Sequence, residues 1–368
     1  MPNYGTLSVD TLVNSVGEVS SGIYGFKNRI INGAMVLDQR NSGASVTLPD
    51  GASGYSFPTD RWGCSRANGA TATGQQSSVA PTGFINSLLI TNGTGISVGS
   101  TGQGYVFQQI EGLNVIDLGW GTANAQTITI SFWVRSSITG THSGSVFNSA
   151  FNRSYPFTFT IDSADTWEFE TITIPGDTSG TWLRTNGRGI GISFNNGSGS
   201  SYLGTAGAWA TGGYYGASGS VALNSVTSST FYVTGVQLEK SSTRTSYDWR
   251  PYGIEFELCR RYCQVFPIFP TSSFDSFMSY YGGSNILSSV KRLTTPMRAI
   301  PSVTFKNATV EYYSFAGSWT STTLNYGGYT NESYYIYCGS DGDGRSKLMR
   351  NGNSGLDPDP IAIFSTEL

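Results

Sequence analysis

Five charges stand beside apolar runs near the start of the chain: Arg29, Asp38 and Arg40 within NRIINGAMVLDQRN, residues 28 to 41, and Asp60 and Arg61 within FPTDRW, residues 57 to 62. Such a set can hold a polar ligand, or it can pair bidentately and fix where strands enter a folded layer. A second set is Glu168 and Glu170 in WEFETITIPG. Alternate positions of one strand lie about 7 Å apart, within the separation an inverting glycosidase uses for its acid and its base. Glu-x-Glu also arises wherever a strand keeps its outer face wet, and no second motif accompanies it, so no catalytic residue is assigned.

Other chemistry is thinly supplied. SDGDGRSK, residues 340 to 347, starts like a calcium loop with Asp341 and Asp343, but it lacks the closing glutamate and reads more simply as an Asp-Gly hairpin. The single histidine, His142, lies in a Thr/Gly/Ser-rich stretch without a nucleophile elbow. GTGISVGS and GRGIGISF lack the flanking helix of a phosphate cradle. Cys64, Cys259, Cys263 and Cys338 are too dispersed for a disulfide framework. Cys259 and Cys263, four apart on an expected helix, read as small buried hydrophobes. No metal and no cofactor is expected.

Aromatic rings are abundant. SSYLGTAGAWATGGYYGASG, residues 200 to 219, gathers Tyr202, Trp209, Tyr214 and Tyr215 in a Gly-rich segment too irregular for a core strand. Rings flanked by amides and hydroxyls suit the C–H face of a sugar, and binding residues gather on loops. The same rings can equally cap a core or pack against a neighbouring subunit.

The elements that must position these groups follow from composition and periodicity. Among 368 residues, 12% are charged, 47 are Gly and 13% are aromatic, so the surface must be polar but nearly uncharged. A net charge of −3 with scattered Lys and Arg excludes a broad nucleic-acid or anionic-membrane face. There is no amino-terminal secretory pattern and no apolar run of roughly 18 residues, so a soluble product of the cytoplasm without membrane insertion is expected. Asn-x-Ser/Thr triplets are read as loop composition.

Residues 1 to 27 carry short apolar patches and read as an attachment segment. From 28 to 250, period-two alternation recurs between turns. TITISFWVR puts Ile128, Ile130, Phe132 and Val134 on one face and Trp133 and Arg135 on the other. FTFTID and GIGISF repeat the pattern with Phe157, Phe159, Ile161 and with Ile190, Ile192, Phe194. In WEFETITIPG the apolar phase shifts between Trp167/Phe169 and Ile172/Ile174, which suggests a bulge. The pattern predicts a mainly β fold: an antiparallel jelly-roll sandwich over 28 to 250, a short helix or linker over 251 to 267 with Ile254, Leu258, Tyr262 and Val265 as its apolar stripe, and a second small β-domain over 268 to 368.

The blocks NRIINGAMVLDQRN, YSFPTDRW, FYVTGVQLEKSSTRTSYDWRPYG and ELCRRYCQ, in that order, resemble a family of bacteriophage virion proteins, mostly tail fibres or receptor-binding proteins. TPMRAIPSVTF and FSTEL resemble its carboxy-terminal part. The resemblance implies a jelly roll like those of carbohydrate-binding modules, displayed on the virion of a phage assembled in a bacterial cytoplasm, usually as a homotrimer. It implies other virion proteins and a host surface glycan as partners; no enzymatic activity is expected, because Glu168 and Glu170 are accompanied by neither a second motif nor a long repeat. It also makes Gln39-Arg40, Asp60-Arg61-Trp62 and Gln237-Leu238-Glu239 framework motifs, so the opening charges read as structural. Tyr326, Tyr329, Tyr334 and Tyr335 form a second host-facing candidate beside the 200 to 219 loop. The alternative is an architectural head or tail decoration that contacts only virion proteins.

Overall fold

A computed structural model describes residues 26 to 267, 286 to 306 and 361 to 368, together with strands between 309 and 351; side chains are described for 26 to 266, 293 to 305 and 362 to 368. The chain divides into two compact units. Residues up to Val36 with Gly43–Pro251 form one, and Leu37–Ser42 with Tyr252–Leu368 form the other.

The first unit contains β1 (Val46–Thr47), β2 (Ser56–Thr59), β3 (Trp62–Cys64), β4 (Ala72–Ser77), β5 (Ser87–Asn92), β6 (Tyr105–Glu111), β7 (Ile128–Ser136) and β8 (Gly140–Phe147). It continues with β9 (Arg153–Ile161), β10 (Glu168–Ile174), β11 (Arg188–Asn195), β12 (Leu203–Gly204), β13 (Ala210–Thr211), β14 (Gly216–Ala217) and β15 (Thr230–Glu239). A smaller sheet runs β1-β4-β5-β15-β7-β10, and a larger one β13-β9-β8-β11-β6-β3-β2. The chain crosses repeatedly between them and every pairing within the two sheets is antiparallel, which gives the jelly-roll sandwich its alternation implies.

The predicted inner faces meet. Ile128, Ile130, Phe132 and Val134 of β7 are fully buried, as are Phe157, Phe159 and Ile161 of β9 and Ile190, Ile192 and Phe194 of β11. Phe132 contacts Phe159 and Phe194 edge to face, at 5.1 and 4.9 Å between centroids, and so joins the two sheets. Polar ties close the loops: Arg153 donates twice to the buried carboxylate of Asp177, at 2.8 and 2.7 Å. At another loop cluster the buried side chains of Asn92, Asn196 and Asn224 hydrogen-bond one another.

The second unit holds α1 (Tyr252–Arg260), β16 (Cys263–Pro267), β17 (Ile286–Arg292), β18 (Ser302–Lys306), β19 (Thr309–Tyr313), β20 (Trp319–Thr323), β21 (Asn325–Gly327), β22 (Ser333–Gly339), β23 (Met349–Asn351) and β24 (Ile361–Ser365). They form three small antiparallel sheets, ordered β16-β24-β18, β17-β22-β21 and β20-β19-β23. The middle strand β24 has Ala362, Ile363 and Phe364 all buried, so both its faces are covered.

Three local expectations are corrected. The bulge is not in β10, whose pairing with β7 runs in unbroken register from Glu168 to Ile174. Phe169 is simply an outward residue, 37% exposed. The helix ends at Arg260, and residues from Cys263 pair with β24, so Cys259 and Cys263 do not share a helical face. The buried side of α1 is Glu255 and Cys259, whereas Ile254 of the expected stripe is exposed. CQVFP instead forms an edge strand paired residue by residue with β24, a long-range pairing that the local helical spacing does not show.

Truncating Phe132→Ala should lower unfolding stability by about 3–5 kcal/mol, because it removes the ring that bridges the sheets and leaves a cavity. Urea unfolding followed by tryptophan fluorescence reads this directly, and a loss below about 1 kcal/mol would place the core contact elsewhere.

Candidate functional site

The opening charges are absorbed by the fold. Arg29 pairs with Asp117 at 2.9 Å, and Arg40 with Glu367 at 3.0 Å. Asp38 accepts the backbone and side-chain N–H groups of Asn41 in a turn. Asp60 and Arg61 are buried, and Arg61 donates to the carbonyl of Gln109.

The four rings of the 200 to 219 loop do not converge. Tyr202 and Tyr215 join Tyr105, Phe107, Phe147 and Phe151 against the outer side of the larger sheet. Tyr215 stacks on Tyr105 at 3.7 Å between centroids, and burial pushes its phenol up to about 12. Trp209 lies elsewhere, edge to face with Trp120 and Trp182 at 5.2 and 5.5 Å, and its indole N–H donates to the carbonyl of Pro175. Tyr214 folds back on its own loop, so close to Gly204 and Gly212 that a Cβ on either would come within 2.6 or 2.9 Å of its ring. The loop is a packed cover, with Tyr215 only 8% exposed. Tyr329, Asp341 and Asp343 lie outside the described residues, as do the side chains of Tyr326, Tyr334, Tyr335 and Cys338.

Glu168 and Glu170 face the inner phase of edge strand β10. The Glu168 carboxylate accepts the backbone N–H groups of Asp162 and Ser163. Burial first, then the charges of Glu168 and Asp162, raise the proton affinity of Glu170. His142 is buried between Phe159 and Phe231; its Nε2 donates to the carbonyl of Ile138, and its Nδ1 finds no partner among the described residues. Among the described residues no three His, Cys, Asp or Glu side chains come together as metal ligands. The described cysteines, Cys64, Cys259 and Cys263, are buried.

The aromatic surface that does form lies on the outer face of the smaller sheet. Trp133 of β7 is directly opposite Phe169 of β10, with ring centroids 5.1 Å apart. On the other flank Phe84 packs on Tyr247 and Trp249 at 5.3 and 5.0 Å. Between these groups, β15 shifts register between Thr234 and Gln237. Gly235 sits in that bulge at φ +61°, and a Cβ there would come within 2.7 Å of the Phe84 ring. The bulge thus makes room for Phe84 beside Trp133. The result is an open groove of about 400 Å³ lined by Phe84, Trp133, Phe169 and Tyr247, by Ser131, Thr245 and Ser246, and by Arg244. One strand step along the same face, Arg135 lies over Tyr232 at 5.1 Å, and Trp167 meets Tyr232 edge to face. Neither glutamate lines the groove.

Sequence reasoning passed over this groove. The signal is present in Trp133 and Phe169, large rings at outward positions of alternating strands, but the phase shift in WEFETITIPG suggests a bulge at Phe169, whereas the bulge lies in β15, two strands away.

No family model matches the chain, and no curated protein matches it. Solved structures similar to it include a family 4 carbohydrate-binding module, at 16% identity over 57% of this chain and 98% of that one, with a TM-score of 0.28. Another is the family 11 carbohydrate-binding module from Clostridium thermocellum in complex with a β-1,3-1,4-mixed-linked tetrasaccharide, at 15% identity over 54% and 98%, TM-score 0.26. A third is the enzymatically active domain of tailspike protein 4 of bacteriophage CBA120, at 10% identity over 58% of this chain, TM-score 0.31. The chain spans 21% of that tailspike chain. Scores of this size leave the fold to be argued from strand order and register, as above.

Two outcomes check this geometry. Gly235→Ala should lose about 1–3 kcal/mol of stability, since it places a side chain at positive φ and drives it into Phe84; an unchanged urea midpoint would contradict the bulge. Burial lowers the His142 pKa, with the Ile138 carbonyl and then Glu168 opposing. The unfolded chain therefore protonates first, and stability should fall as pH drops below about 6.5. Comparing urea midpoints at pH 7.5 and 5.5, His142→Gln should show a smaller drop than the native chain.

Proposed function

We propose that this chain is a phage virion protein of the tail-fibre or receptor-binding type that attaches to host surface glycan, with the outer-face groove of the smaller sheet as its sugar-contacting surface. The observation that carries the reading is the groove itself: Trp133 and Phe169 form a half-open aromatic floor with Ser131, Thr245 and Ser246 beside it. Rings take the C–H face of a pyranose, and hydroxyls and backbone groups take its hydroxyls. The floor is preorganised because Trp133 rides on a strand whose other face is fully buried core. Virion membership is supported by the ordered sequence blocks described above.

The reading is of binding without turnover. Glu168 is held by backbone amides, and both glutamates lie outside the groove. Single sugar contacts are weak, so several copies on one particle, as in a homotrimer, would raise effective concentration and convert them into durable attachment.

Trp133→Ala should weaken glycan binding by the purified protein roughly tenfold, as expected when a ring face worth about 1–2 kcal/mol of buried area is lost. It should leave the fold intact by circular dichroism, because this ring faces outward. Particles carrying the variant should assemble and adsorb poorly. Normal adsorption would favour the architectural reading, in which the face meets only other virion proteins.

A further inference from the structure

The groove carries one charged group, and its situation separates it from its counterparts. The guanidinium of Arg244 lies 5.0 Å from the centroid of Phe169, on the wall of the groove. Among the described residues it makes no hydrogen bond and no ion pair. Each other arginine described in this unit donates to a carboxylate or a carbonyl: Arg29 to Asp117, Arg135 to Asp165 and Arg153 to Asp177. Arg61, Arg66, Arg184, Arg188 and Arg250 donate to main-chain oxygens. Among the described arginines of this unit Arg244 alone makes no hydrogen bond or ion pair to an oxygen, and it faces the aromatic floor.

The groove lining contains no carboxylate. A second cation, Lys27, reaches the rim with its Nζ 2.6 Å from Thr245 Oγ1, but that hydroxyl donates in turn to Glu239, which balances the charge. The uncompensated charge is therefore that of Arg244. A guanidinium fixed over a ring offers a planar fork of donors that matches a carboxylate, and it has lost little water in doing so.

Resting on the sugar-binding reading, we propose that the groove selects acidic saccharide, a chain whose residues carry carboxylates, with Arg244 pairing to one carboxylate while Trp133 and Phe169 take the adjoining ring faces. The row formed by Tyr232, Arg135 and Trp167 lies one strand repeat away on the same face and would extend the contact along the chain.

The test uses the full chain in affinity electrophoresis against polygalacturonate, alginate and polysialic acid, each beside its carboxyl-reduced neutral counterpart. At least one acidic polymer should bind roughly tenfold more tightly than its reduced form, the ratio expected of a charge-assisted pair, and its affinity should fall with salt. Arg244→Gln should bring the affinity for the acidic polymer down to that for its reduced form; Trp133→Ala should weaken both. Equal binding of acidic and neutral forms overturns the acidic preference and leaves glycan binding standing. Absence of binding to every polymer overturns both readings. Tighter retention of oligothymidylate than of any saccharide overturns the proposal in favour of base stacking.

Discussion

A strand that buries one face must present the other, and β7 makes this constraint the hinge of the molecule. Ile128, Ile130, Phe132 and Val134 are fully buried against the larger sheet, so Ser131, Trp133 and Arg135 are held outward without freedom to turn in. Slipping the register by one residue would exchange the core for the groove. The core packing that stabilises the sandwich is therefore the same interaction that preorganises the aromatic floor.

The neighbouring strands convert one outward tryptophan into a surface. β10 pairs in unbroken register and sets Phe169 beside Trp133, while β15 breaks register at Gly235 and admits Phe84. Regular pairing on one side and a bulge on the other give the groove a flat wall and an opening. On the opposite sheet the 200 to 219 segment, with Tyr215 stacked on Tyr105, covers the equivalent face. The two outer faces of one sandwich thus have different fates, one closed by its own loop and one left open.

A chain with 12% charged residues stabilises its long loops through amides and a few buried ions. The Asn92–Asn196–Asn224 cluster and the Arg153–Asp177 fork each join loops distant in sequence. Buried polar groups are costly unless satisfied, so such networks specify one arrangement of loops rather than adding much net stability. Against that background an arginine with no partner among the described residues, on the wall of an open groove, stands out chemically.

What was legible in the sequence was whatever depends on near neighbours. Period-two alternation marked the inner faces of β7, β9 and β11, Gly-rich turns marked the strand ends, and together they determined an antiparallel β-sandwich with a smaller β-unit after it. The end of α1 was misread because helical spacing in ELCRRYCQ is local, whereas the pairing of Cys263–Pro267 with Ile361–Ser365 joins residues almost a hundred apart. Where rings converge is a tertiary property for the same reason. Clustering along the chain singles out Tyr202, Trp209, Tyr214 and Tyr215, but only the tertiary structure decides that these rings part into separate contacts and that Phe84, Trp133, Phe169 and Tyr247 line one groove. Side-chain alternation is written residue by residue, while convergence depends on strand order and on one bulge, which long-range hydrogen bonding sets.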